Sequence, residues 1–133
     1  MILVDTSVIV AWLDPAHAHH QACASALERW AAQDDLAVSC VSFAELAAGG
    51  RTRDFIEERL QPFQRVELDF EDGWRAGVAF GRFPKSKDAP ALPDFLIRAQ
   101  AATRGCRHLT NDERRLAPWP DVDFIFARPR RGQ

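Results

Sequence analysis

Four carboxylates stand where short apolar runs give way to helical stretches. Asp5 directly follows Met1-Ile2-Leu3-Val4, and Glu45 comes one helical turn beyond the run Leu36 to Cys40. Asp94 opens a helical stretch after a proline-rich loop, and Asp112 lies three residues past the run Arg107 to Leu109. In a parallel α/β sheet, ligands gather beyond the carboxyl ends of the strands, near the point where strand order reverses. All four acids would project toward that edge. Singly, each has a structural explanation. Ser42-Phe43-Ala44-Glu45 and Thr110-Asn111-Asp112-Glu113 carry capping-box spacing, Asp112 suits the first turn of a helix, and Asp5 and Asp94 fit N-cap positions. Jointly, four acids at one edge repel one another unless cations sit between them. Oxygen-only ligands of this kind suit Mg²⁺ or Mn²⁺.

The elements that must hold these acids read as α/β: a central, mainly parallel sheet of about four or five short strands flanked by helices. Strands are expected at 1–4, 36–40, 65–68, 107–109 and 123–126. Helices are expected at 6–13, 17–33, from Ser42 to Gly49-Gly50, from Thr52 to Pro62, at 70–83, 94–104 and 111–116. Gly73, Gly77 and Gly81 are spaced four apart in one helix. Each costs about 1 kcal/mol relative to alanine there, so another backbone is expected to pack closely on that stripe, from this chain or a second copy. Pro84 to Pro93 reads as a lid-like loop before Asp94. The domain is expected to span 1–127, with a frayed tail at 128–133.

Composition removes several classes. The chain has 133 residues, 47% hydrophobic and 27% charged, with net charge −2, which describes one soluble domain with a proper core. No apolar run approaches the roughly 20 residues of a membrane span, and residues 1–4 lack the basic start of a secretory signal. Cys23, Cys40 and Cys106 share no metal-ligand spacing. A cytoplasmic protein is expected. Charge is uneven, at −5 over residues 1–93 and +3 over 94–133, and the basic residues are 15 arginines and two lysines. Arg98, one turn beyond Asp94, would pair with it or meet a phosphate. Arg114 and Arg115 flank Asp112 and are the better phosphate candidates, although solvated surface positions also account for them. His17, His19 and His20 read as a surface helix start. The tryptophans read as core, with Trp119, between Pro118 and Pro120, having the strongest claim to exposure.

Four segments in order resemble one family over nearly the whole chain. Met1-Ile2-Leu3-Val4-Asp5-Thr6-Ser7, Ser42-Phe43-Ala44-Glu45-Leu46, Leu92-Pro93-Asp94-Phe95-Leu96-Ile97 and Leu109-Thr110-Asn111-Asp112 are similar to the PIN-domain ribonucleases, specifically the VapC toxins of bacterial type II toxin–antitoxin pairs. The resemblance implies a single PIN-like domain and an endoribonuclease. Asp5, Glu45, Asp94 and Asp112 would be its metal-binding acids, with Glu45 acting directly or through water. Thr6, Ser7 and Thr110 would support them by hydrogen bonds, and Asn111 fills a variable slot. The resemblance further implies Mg²⁺, with Mn²⁺ as substitute, RNA products with 5′-phosphate and 3′-hydroxyl ends, a VapB-like antitoxin and a homodimer. The rival from another class is a non-catalytic, PIN-like interaction or RNA-binding module whose acids are helix caps.

Overall fold

Alternation along β1 (Ile2–Val4) sends Ile2 and Val4 to one face and Leu3 to the other, and each face is covered. A computed structural model describes residues 1–113 and 119–129. In it β1 lies at the centre of a five-stranded sheet with β2 (Leu36–Ser39), β3 (Gln64–Val66), β4 (Arg107–Thr110) and β5 (Phe124–Phe126), in the order β3-β2-β1-β4-β5. Every pairing is parallel, with Leu3 opposite Ala37 on one side and His108 on the other. The expected parallel α/β architecture is present.

The connections are α1 (Thr6–Leu13), α2 (His20–Ala31), α3 (Cys40–Ala48), α4 (Arg53–Arg59), α5 (Phe70–Arg82) and α6 (Leu92–Arg104). On one face Ile2, Val4 and Leu109 pack with Val8 and Ile9 of α1, Leu27 of α2, Leu46 of α3 and Ile56 of α4. On the other, Leu3 and Ala37 pack with Ala76 of α5 and with Phe95, Ile97 and Ala99 of α6. Burial of this two-sided kind explains why β1 reads as a continuous apolar run. The strand order reverses between β1 and β4, which opens a crevice at their carboxyl ends.

Asp72 ties α5 to α6. It is wholly buried, forms a reciprocal capping box with Asp69, and accepts from Arg104 Nη1 at 2.9 Å and Thr103 Oγ1 at 2.5 Å. Gly105, at φ 62°, ends α6 in the left-handed region that glycine tolerates.

Several expected boundaries move. The helix expected at 17–33 starts at His20, because Asp14 accepts the amide of Ala16 and the chain turns there before entering α2. The helix expected from Ser42 starts at Cys40, since Ser39 Oγ accepts from Val41 N at 2.9 Å and acts as the cap. The helix expected to open at Asp94 begins at Leu92, with Pro93 in a first turn that its fixed φ suits. The helix expected at 111–116 is absent at 111–113, and 114–116 lie outside the described residues.

Trp119 is 3% exposed and packs near Phe95, whereas Trp74 is 70% exposed, reversing the expectation for both. Trp74 shares the outer face of α5 with Phe70, 98% exposed. A Cβ at Gly73, Gly77 or Gly81 would meet nothing within 4 Å, so no described part of this chain packs on the glycine stripe.

Candidate active site

The end of β1 delivers Asp5 into the crevice, where it also caps α1. Its Oδ2 accepts from Ser7 N at 3.2 Å, Ser7 Oγ at 2.5 Å and Thr110 Oγ1 at 3.3 Å. Each hydroxyl is also an acceptor for the backbone leaving β4. Asn111 N donates to Ser7 Oγ at 3.0 Å, and Asp112 N donates to Thr110 Oγ1 at 3.0 Å. Two hydroxyls therefore fasten the Asp5 carboxylate to the segment that carries Asp112.

His108 supports Asp5 from within the sheet. It is 1% exposed, with Nδ1 3.0 Å from the carbonyl oxygen of Leu3 and Nε2 3.4 Å from Asp5 Oδ1. A carbonyl only accepts, so Nδ1 donates. Burial pushes the Asp5 carboxyl up, but His108, through hydrogen bonding and charge, and the bonds from Ser7 outweigh it and bring the pKa down to about 2.

Glu45 enters from the second turn of α3, the helix that leaves β2. Thr6 Oγ1 donates to Glu45 Oε1 at 2.7 Å and lies 2.7 Å from Ser42 Oγ. The expected Ser42–Glu45 capping box is therefore replaced. Ser39 caps the helix, while Ser42 and Glu45 both turn to Thr6. Burial raises the Glu45 pKa, Thr6 opposes this, and the charges of Asp94 and Asp5 raise it further.

Asp94 comes from the first turn of α6, where its Oδ2 accepts from Ala91 N at 3.0 Å. Burial raises its pKa, Asp5 and Asp112 add to the rise, and the Ala91 bond and Arg98 oppose it. Arg98, the next turn of α6, is 3% exposed and holds Nη2 3.8 Å from Asp112 Oδ2. Arg98 therefore faces Asp112 as well as lending its charge to Asp94 on the same helix.

The arrangement joins carboxylates from four elements, and the pKa values of Glu45 and Asp94 are raised by burial first and by the charge of their neighbours next. Among the described residues no three acids, histidines or cysteines are grouped tightly enough to enclose an ion as placed. The donor chemistry nevertheless suits a hard divalent cation. The ligands are carboxylate oxygens, and their mutual repulsion is relieved by added positive charge.

Comparison with known proteins bears on the fold. The sequence profile described as PIN domain matches residues 2–124. The chain belongs to the PIN domain family. VapBC2 from Rickettsia felis, bound to a DNA fragment from its promoter, matches with a TM-score of 0.75 at 17% identity, over 95% of this chain and 98% of that one. FitAcB from Neisseria gonorrhoeae matches at 0.69 and 21% identity, over 96% and 98%. VapC20 from Mycobacterium tuberculosis, described as a sarcin-ricin loop cleaving toxin, matches at 0.67 and 17% identity, over 86% and 92%. At such identities the likeness is one of fold. No curated protein sequence matches the chain.

In this PIN domain, sequence reasoning missed His108 and the full role of Ser42. His108 occupies an inward position of a buried strand, and its one signal was an ionisable side chain among apolar neighbours. Asn111 is tied to Arg128, whose Nε donates to Asn111 Oδ1 at 2.6 Å. Arg114 and Arg115 lie outside the described residues.

Proposed function

We propose that this PIN domain is a metal-dependent endoribonuclease and the toxin of a VapBC-type pair. The observation that carries the reading is Glu45. A helix-capping acid has no use for the Thr6 hydroxyl of another helix, at 2.7 Å, nor for a place where Asp5 and Asp94 disfavour its charge. A site that gathers anions around a cation has use for both.

Asp5, Asp94 and Asp112 would hold Mg²⁺ or Mn²⁺, with Glu45 acting directly or through water. When bound, such an ion supplies a hydrolytic water of lowered pKa and offsets charge on the leaving 3′ oxygen. The chain's residues supply order. Asp5, with a pKa of about 2, stays ionised across the physiological range. Ser7, Thr110 and His108 fix its carboxylate, and Thr6 aims Glu45. No side-chain nucleophile is required, and the products carry 5′-phosphate and 3′-hydroxyl ends.

Arg114 and Arg115, beside Asp112 in sequence, remain the phosphate contacts we favour. Arg98 is enclosed behind the acids and serves charge balance instead. A VapB-like antitoxin would restrain the enzyme in the cytoplasm, in keeping with the solved complexes that share its fold. The outer face of α5, with Phe70, Trp74 and an open glycine stripe, is the surface proposed for a homodimer. No described helix is long and apolar enough to cross a membrane.

The test is cleavage of total bacterial RNA by purified protein with Mg²⁺, Mn²⁺ or EDTA, beside Asp5→Asn and Asp94→Asn. Discrete fragments that require metal and vanish in both variants are expected. Products with 2′,3′-cyclic phosphate ends, or a folded, antitoxin-free protein that neither cleaves RNA nor binds Mn²⁺, would return the acids to helix capping.

A further inference from the structure

Arg98 is the one arginine among the described residues that is buried, at 3% exposure. A guanidinium brings a positive charge with it, and a buried charge persists only where something matches it. The match is incomplete. Nη2 faces Asp112 Oδ2 at 3.8 Å, which is charge pairing beyond hydrogen-bond length. Nη1 is enclosed and has no hydrogen-bond partner among the described residues. The neighbouring α6 positions Ile97, Ala99 and Ala101 are buried and apolar, and an apolar residue at 98 would extend the same packing. A cation with a spare donor instead stands behind an anionic crevice.

We propose that Arg98 is a resident cation of this site, taking the place of a second divalent ion, so that each chain binds one Mg²⁺ or Mn²⁺. The inference rests on the metal-binding function proposed above and goes beyond it, to the number of ions. Arg98 faces Asp112 from a buried position and neutralises part of the cluster. A second divalent ion beside Asp112 would meet an immobile positive charge at short range, in surroundings that screen poorly. Arg98 is on this account a positioning residue. It fixes Asp112 and sets the charge left for the ion, and it touches neither substrate nor the reacting atoms.

The experiment is a Mn²⁺ titration of the metal-free protein, with free Mn²⁺ followed by electron paramagnetic resonance and heat by calorimetry. Wild type should bind one Mn²⁺ per chain. Arg98→Leu should bind two, the first about tenfold tighter than in wild type, and Arg98→Lys should keep one. Two ions on wild type, or an Arg98→Leu protein with unchanged count and affinity, would overturn the role of Arg98 and leave the metal site standing. Absence of Mn²⁺ binding by wild type would reject the metal site itself, and the role of Arg98 with it. The wild-type count requires no variant, so a substitution that fails to fold, as judged by circular dichroism, does not shelter the proposal.

Discussion

The Thr6 hydroxyl reaches Glu45 Oε1 at 2.7 Å and so joins the first turn of α1 to the second turn of α3. Both helices follow directly from neighbouring parallel strands, so this bond closes the crevice on the side of β2. Thr6→Val preserves shape and removes the donor. It leaves a half-buried carboxylate and the buried Ser42 hydroxyl short of a partner, which costs about 1–3 kcal/mol. Urea denaturation should register that loss. Metal-dependent RNA cleavage at neutral pH should fall by roughly tenfold, the equivalent of about 1.4 kcal/mol.

The raised acids give a pH dependence with a definite sign. Asp94 and Glu45 have folded pKa values above their ordinary ones because burial and like charge disfavour the ionised form. For such groups the folded state is favoured while they are protonated, and the benefit is lost as pH rises through the folded pKa. In EDTA at neutral pH, Asp94→Asn and Glu45→Gln should therefore melt above wild type while losing activity. Thermal melts from pH 4 to 8 check this, and the advantage should shrink toward the acid end. Mn²⁺ binding by wild type should fade on acidification at a higher pH than ordinary carboxylates would dictate, since these two acids take up protons first.

Asp72 shows the opposite shift. Burial pushes its pKa up, but Arg104, Thr103 and the Asp69 amide outweigh burial and lower it. Its contribution to stability is present above the ordinary aspartate pKa and is lost as pH falls through the lowered one. Asp72→Ala removes a buried partner of Arg104 and half of a capping box, a loss of about 3 kcal/mol. The melting temperature at pH 7 should drop by about 10 °C, on the order of 3–4 °C per kcal/mol for a domain of this size. Below pH 3 the gap from wild type should narrow.

The glycines of α5 offer a prediction of unusual direction. An added Cβ at Gly73, Gly77 or Gly81 meets open space, and alanine is the better helix former by about 1 kcal/mol. Each Gly→Ala substitution should stabilise the monomer by about 0.5–1 kcal/mol in urea. If two copies pair through this face, the same substitutions hold the helices apart. Light scattering should then show weaker self-association as the melting temperature rises.

Much of this was legible because strand ends are punctuated in the sequence. Met1 to Val4 followed by Asp5, and Arg107 to Leu109 followed by Thr110, give strand and exit together, and a parallel sheet places such exits side by side. The start of α3 was harder to read. Ser39 and Ser42 are equally good caps by type, and only the tertiary bond of Ser42 to Thr6 decides between them. Trp74 and Trp119 were exchanged for a related reason. Helical periodicity identifies an apolar stripe but not whether anything covers it, and Trp74 shares its face with the exposed Phe70. His108 sat in plain view, yet alternation along a strand does not say that its ring will find Asp5.

The strand order has a consequence for synthesis. β1 is made first, and its neighbour β4 is made more than a hundred residues later, so Asp5 meets Thr110 across a separation of 105 positions. Asp112 follows two residues after that. A chain still short of this point possesses Asp5, Glu45 and Asp94 but neither Thr110 to fasten Asp5 nor the acid that Arg98 holds. An unfinished polypeptide therefore carries no complete cluster. The crevice is thus finished only when the last two strands of the sheet have been added.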